Sequence, residues 1–280
     1  MRSISAEQLV RALEELPSLP QVLSELIEAI EHDNVDQRSI IMRIAQDQAL
    51  TSKTLRLANS SFYGLSYRVN SLSDAVSILG FRSLRTLVTS TAIANLLHRF
   101  VLERNDVDYF LEHSISVAIF AKLLAAHICA NQEQAFTTGL IHDLGKLALV
   151  TKFPGEYAAV KRYQKEQACA RYEAENAVLS MSHASIGAML ARRWRFPLEM
   201  QQAVSAHHDP MTAETSELSM LITVANIFAK VHASDEDRMR LLRESSYAWQ
   251  RLELNEELCL RIFATERQQY AEISQILLSH

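Results

Sequence analysis

Apolar residues recur every three or four positions along most of this chain, the spacing of helices that bury one face. In the first hundred residues the pattern marks a sequence of short elements. QVLSELIEAIEH, DQRSIIMRIAQD and ALTSKTLRLANSSFYG each read as an amphipathic helix, the last running into a polar turn at Asn59, Ser60 and Ser61. Ser5 followed by Gln8 has the form of a capping box opening a helix that Pro17 ends. SLSDAVSILG is a short helix with Ser71 as N-cap and Gly80 just past its end. A longer helix follows, over roughly 82–98, and then a charge cluster, RFVLERNDVD, interrupts the period. The second part opens with YFLEHSISVAIFAKLLAAHI, on which His113 shares a stripe with Val117, Phe120, Ala121 and Leu124. The expected organisation is an N-terminal helical subdomain, 1–105, and a second helical domain with a C-terminal extension, 106–280. Trp249 and Tyr270 are expected to pack in that extension.

Composition supports an all-α fold. Only 6 Gly and 5 Pro occur in 280 residues, too few turns for a sandwich or barrel of many strands. A formal charge of −5, with no basic block interleaved with aromatics, makes nucleic acid an unexpected partner, because that affinity comes mainly from phosphate neutralisation. The two arginines of RSLRTL read as a solvated helix face. Three cysteines, Cys129, Cys169 and Cys259, lack CxxC spacing and read as buried small residues in a reducing compartment. No N-terminal leader and no membrane span are expected, which places the chain in the cytoplasm.

Seven of the ten histidines lie between residues 113 and 232. His183 shares a face with Ile186, Gly187 and Leu190, and His207 follows Met200, Ala203 and Val204 on one stripe, with His208 beside it. His142 lies with Asp143 in the apolar run FTTGLIHDLGKLAL. Four helices therefore direct an imidazole inward. Each buried imidazole needs a partner, and one divalent ion satisfies several together. The competing reading is a core whose histidines bond only to one another and to carboxylates. Neighbours on a helix stand about 100° apart, so His142 and Asp143 meet one ion only at a helix rim, where the carboxylate could bridge two metals. Nitrogen and oxygen ligands suit Fe, Mn, Zn or Ni. Lys146, one turn on, either contacts an anionic ligand or is a surface lysine. Gly145 allows close approach of a ligand or of another helix.

The motif HDLGK, with His113 upstream, resembles the HD superfamily of metal-dependent phosphohydrolases. LPSLPQVLSELIEAI, DQALTSKTLRLANSSFYG, SLSDAVSILGFRSLRTLV and SHASIGAMLARRWRFPLEMQQAVSAHH resemble the HD-related output domain, HDOD, over roughly residues 13 to 230. The resemblance implies an all-helical bacterial protein of signalling and regulation, with an HD-like helical bundle. It implies that His113, His142 and Asp143 hold one metal, and that Asp143, His183, His207 and His208 hold a second. Asp143 and Lys146 would then be the catalytic pair, with Lys146 on phosphate. Two departures stand out. Asn226 occupies the position of the last superfamily aspartate, and HHDPMTAETSE has no GYP element, so hydrolysis of cyclic dinucleotides by the HD-GYP route is not expected. The expectation is a regulatory module with a partly retained metal pocket, one or two ions and little turnover. Its partner is a signalling protein or a small anionic, phosphate-bearing ligand; the alternative is a metal-dependent phosphohydrolase. Asn59 and its neighbours are assigned a structural, helix-ending role.

Overall fold

The computed structural model describes residues 6–16, 21–28, 36–66, 68–99, 104–209, 214–230, 237 and 246–278. The first part holds α1 (Ala6–Glu14), α2 (Gln21–Glu28), α3 (Gln37–Ala45), α4 (Gln48–Ala58) and α5 (Leu72–Arg99). The second holds α6 (Arg104–His127), α7 (Gln132–Ile141), α8 (Leu144–Lys152), α9 (Pro154–Gln167) and α10 (Arg171–Leu179). It continues through α11 (His183–Arg193), α12 (Leu198–Ala206), α13 (Glu217–Phe228), α14 (Ser246–Arg251) and α15 (Glu256–Leu278). No strand occurs among the described residues. The fold is all-α, as the period implies.

Local chemistry sets the helix ends. Asp36, Asp47, Asn131 and Ser216 each accept a first-turn N–H as N-caps. The expected Ser71 cap is present, its hydroxyl accepting the Asp74 N–H at 3.0 Å. Gly80 has φ +83°, a conformation that costs an L side chain, and it breaks α5 into two helical pieces. The Ser5 cap and Pro17 lie outside the described residues.

The long helix α6 is the centre of the molecule, with α7, α13 and α15 against it. Phe120 of α6 meets Phe228 of α13 and Phe263 of α15 edge-on, at centroid distances of 5.5 and 6.0 Å. All three rings are buried, and each contributes about 1.5–3 kcal/mol. The C-terminal helix is therefore core, and Trp249 and Tyr270 are partly buried against the hydrophobic core, as expected. A second anchor is Ser116 Oγ, which donates to the buried Glu266 at 2.7 Å.

Three expectations need correction. The window Phe110–His127 is, by its length of 18 residues and mean hydropathy of 1.2, apolar enough to cross a membrane, whereas the sequence reading expects no such segment. Two-thirds of that window is buried (67%), because this helix is apolar on nearly every side to serve as the core. Arg85 is buried and only Arg82 is solvated, since RSLRTL continues the face on which Leu84 and Val88 enter the core. Among the cysteines only Cys259 is buried. Cys129 is exposed in a left-handed turn (φ 58°) beyond α6.

The Phe62–Tyr63 turn reaches the second half through Lys122. Its ammonium lies 3.8 Å from the Phe62 ring centroid, 4.1 Å from that of Tyr63 and 3.5 Å from Glu133 on α7. Burial lowers the Lys122 pKa, and Glu133 opposes that shift. This contact ties the turn after α4 to α6 and α7. The expected boundary at residue 105 falls at the start of α6.

Candidate metal centre

Asp143 stands at the α7–α8 junction. His142 is the last residue held by α7, and Asp143 is the N-cap of α8. The two side chains converge because the helix breaks between them, so the 100° separation expected within one helix does not apply. A carboxylate at an N-cap ordinarily accepts N–H groups of the first turn. Asp143 makes no such bond, and its carboxylate turns inward instead. Gly145 makes this possible. A Cβ there would lie 1.9 Å from the His183 carbonyl oxygen and 2.7 Å from the Gly187 nitrogen, so α8 and α11 touch backbone to backbone. The approach is thus by a neighbouring helix.

The buried carboxylate meets a different set of groups at each oxygen. Oδ1 lies 3.2 Å from His183 Nε2 and 3.5 Å from His207 Nε2, with His208 in the same cluster. Oδ2 lies 2.5 Å from Lys146 Nζ, 3.4 Å from His142 Nε2 and 3.8 Å from His113 Nε2. Asn226 Oδ1 stands 3.0 Å from His113 Nε2. His113, His142, Lys146, His183, His207 and His208 thus gather around one aspartate, and Asn226 reaches the site through His113. Lys146 is paired with Asp143 and only partly exposed, and it also lines the cavity beside the cluster.

The hydrogen bonds fix where the protons are. His142 Nδ1 donates to the Gly139 carbonyl and His207 Nδ1 to the Val204 carbonyl, each at 2.7 Å. In the neutral rings Nε2 is then a lone pair aimed at a carboxylate. His142 Nε2, His207 Nε2 and Asp143 Oδ1 are all buried without a hydrogen-bond partner. Lone pairs facing lone pairs in a dry interior repel unless a cation lies between them. The ligand atoms of each cluster lie within 4.8 Å of one another, a spacing that ion–ligand bonds of about 2.0–2.2 Å can close. The residues fit a divalent ion.

Titration follows the same surroundings. Burial lowers the pKa of His113 and His142, and brings His207 down to about 4. Burial and the neighbouring His207 and His183 take His208 to about 2. Burial pushes the Asp143 pKa up, but His142 and Lys146 pull it further the other way, well below the usual carboxylate range. His183 is raised, because the neighbouring carboxylates of Asp143 and Glu175 outweigh its burial.

Glu175 is not anticipated from the sequence. Fully buried on α10, it accepts the His183 backbone N–H at 2.7 Å and the ring Nδ1–H at 2.5 Å through one oxygen. It fixes the ring with Nε2 toward Asp143, the role a carboxylate plays behind a metal-bound histidine. Its signal is slight: an acidic residue with Val178 and Leu179 at i+3 and i+4. Tyr172 also escapes the sequence reading; its ring stacks on His208 at 4.8 Å and 12°. A cavity of about 620 Å³ opens from the cluster toward solvent, with Lys146, Arg171 and Lys230 in its lining.

A helical bundle around an H…HD cluster defines the HD-like class. Residues 16–210 match the family model of the HDOD domain, and the chain belongs to that family. A crystal structure of a Shewanella amazonensis SB2B protein with a provisional phosphohydrolase name superposes with a TM-score of 0.80 at 26% identity, covering 98% of this chain and 100% of that one. An uncharacterized protein of Treponema pallidum (strain Nichols) is 28% identical over 225 residues, 79% of this chain and 43% of its own length. A ribonuclease Y of Thermus thermophilus is 34% identical over 151 residues, 54% of this chain and 20% of that protein. The chain spans less than half the length of these two relatives.

Proposed function

We propose that the chain is a regulatory HDOD module whose pocket holds a divalent ion on the Oδ1 side of Asp143 and admits a phosphate-bearing ligand, with little or no turnover. The observation that carries this reading is the asymmetry of the Asp143 carboxylate. Lys146 already neutralises Oδ2, and Asn226 offers a neutral amide where a second ion would need a carboxylate. A bound ion would polarise a phosphoryl oxygen and lower the pKa of bound water. His183, His207, His208 and Asp143 would hold it, Glu175 would orient His183, and Arg171 and Lys230 would attract the anion. The same reading includes a signalling protein partner, a cytoplasmic setting suited to three unpaired thiols, and separate roles for 1–105 and 106–280.

A second reading, metal-dependent hydrolysis of a phosphodiester or nucleotide, is favoured by the cationic lining of the pocket. The names of the Shewanella protein and of ribonuclease Y point in the same direction. Elemental analysis of protein purified without chelator or nickel resin should find about one transition ion per chain. If no ion copurifies and manganese cannot be loaded, both readings fail. Manganese-loaded protein is then assayed on bis-p-nitrophenyl phosphate beside Asp143→Ala. Equal residual rates support the regulatory module, whereas turnover lost only in the variant supports the hydrolase.

A further inference from the structure

Away from the metal centre the molecule has a second cleft of about 620 Å³, and the two share no lining residue. One wall is α4, where Ser52, Leu55, Arg56 and Asn59 fall at i, i+3, i+4 and i+7 on one face. The opposite wall is α15, through Glu272, Gln275 and Ile276. The segment 68–70 closes the space between them.

Asn59 makes that segment rigid. Its Oδ1 accepts the Val69 N–H at 2.7 Å, while its Nδ2 donates to the carbonyls of Val69 and Leu55 at 2.8 and 2.7 Å. With Val69 buried, Arg68 and Asn70 on either side of it line the cleft. Glu272 is the single carboxylate in the lining, and its Oε2 is engaged by the Ser61 N–H and hydroxyl at 2.8 and 2.5 Å. Two guanidinium groups and several neutral donors thus surround a floor of Leu55, Val69 and Ile276. Guanidinium groups match phosphate oxygens in charge and in fork geometry. The volume falls within the range of small-molecule sites, roughly 300–1,000 Å³. The α15 wall also lies beyond residue 210, where the family match ends, so this chain assembles the cleft from matched and unmatched parts.

We propose that this cleft binds a nucleotide-sized, phosphate-bearing molecule, its phosphates on Arg56 and Arg68 and its apolar body over Leu55, Val69 and Ile276. Isothermal titration of the full chain with ADP tests this, with pyrophosphate as comparator and EDTA present so that no metal-held anion contributes. Saturable binding of ADP, tighter than that of pyrophosphate, is expected. Arg56→Gln and Arg68→Gln should each weaken it about tenfold or more, the worth of a charge-assisted hydrogen bond. Asp143→Ala should bind as the parent does. Melting curves confirm that each exposed-arginine variant is folded. The proposal is overturned if neither probe binds at millimolar concentration, or if pyrophosphate binds as tightly as ADP. It is equally overturned if binding disappears in Asp143→Ala and survives in the arginine variants.

Discussion

The two oxygens of Asp143 look onto differently furnished halves of one pocket. On the Oδ1 side stand three imidazoles, one of them oriented by the buried Glu175, with no lysine or arginine in contact among the described residues. On the Oδ2 side Lys146 already sits at 2.5 Å, and the imidazole of His113 is bonded to the Asn226 amide. One half has unmet demand for positive charge; the other has largely met it from within. A motif survey that counts ligands scores the halves alike, whereas their charge balance separates them.

The comparison fails most visibly at its hinge. Asp143→Ala removes the carboxylate common to both halves and should reduce copurified or loaded metal to background in elemental analysis. His183→Ala should weaken the ion on the Oδ1 side by about 100-fold or more, while His113→Ala on the other side should cost less than about tenfold, below the loss seen when even a supporting partner of a ligand is removed. A competitive chelator titration reads both, and equal losses would erase the asymmetry. Glu175→Gln keeps the shape and removes the charge behind His183, so affinity should fall about 10- to 100-fold in the same titration. Asn226→Asp restores a carboxylate beside His113, and manganese stoichiometry should rise from one toward two. A stoichiometry that stays at one would mean that Lys146, and not the amide, keeps the second ion out.

The smallest effect expected is on the pH dependence of the metal-free protein. His207 is held down to about 4 and His208 to about 2, and His142 and His113 are also lowered, in each case first by burial. Unfolded imidazoles titrate near about 6.5. Between about 6.5 and 4 the unfolded chain binds more protons, so stability falls as pH drops through that window. His183 acts in the opposite sense: its raised pKa contributes stability fully present below about 6.5 and lost as pH rises through the folded value. Four lowered rings outweigh one raised ring. The melting temperature in EDTA should therefore be lower at about pH 4.5 than at about pH 7, and an unchanged value would contradict neutral burial of the imidazoles.

Much of the site is legible because its signals are local. Apolar stripes place His113, His183 and His207 inward, and all of them reach Asp143. Ser71, Gly80 and Asn59 announce a cap, a break and a helix end, since each acts on backbone within a few residues or, for Asn59, ten. Glu175 and Tyr172 are nearly illegible because little in their neighbourhood distinguishes them from solvated helix residues. Arg85 and the Phe110–His127 window escape the sequence reading for the same reason, as burial depends on what packs opposite.

By itself, then, the sequence determined an all-α chain, the inward histidines, and a substitution at Asn226 that changes the available charge. Tertiary structure alone decided which oxygen of Asp143 each group meets. Those distances join residues far apart in sequence, such as His113 and Asn226, 113 positions away. They depend on how α8 and α11 approach at Gly145, where backbone meets backbone. Helical period reports which face of an element is apolar. The depth and angle at which elements pack decide which lone pairs face each other, and that geometry is what makes this pocket suited to a cation.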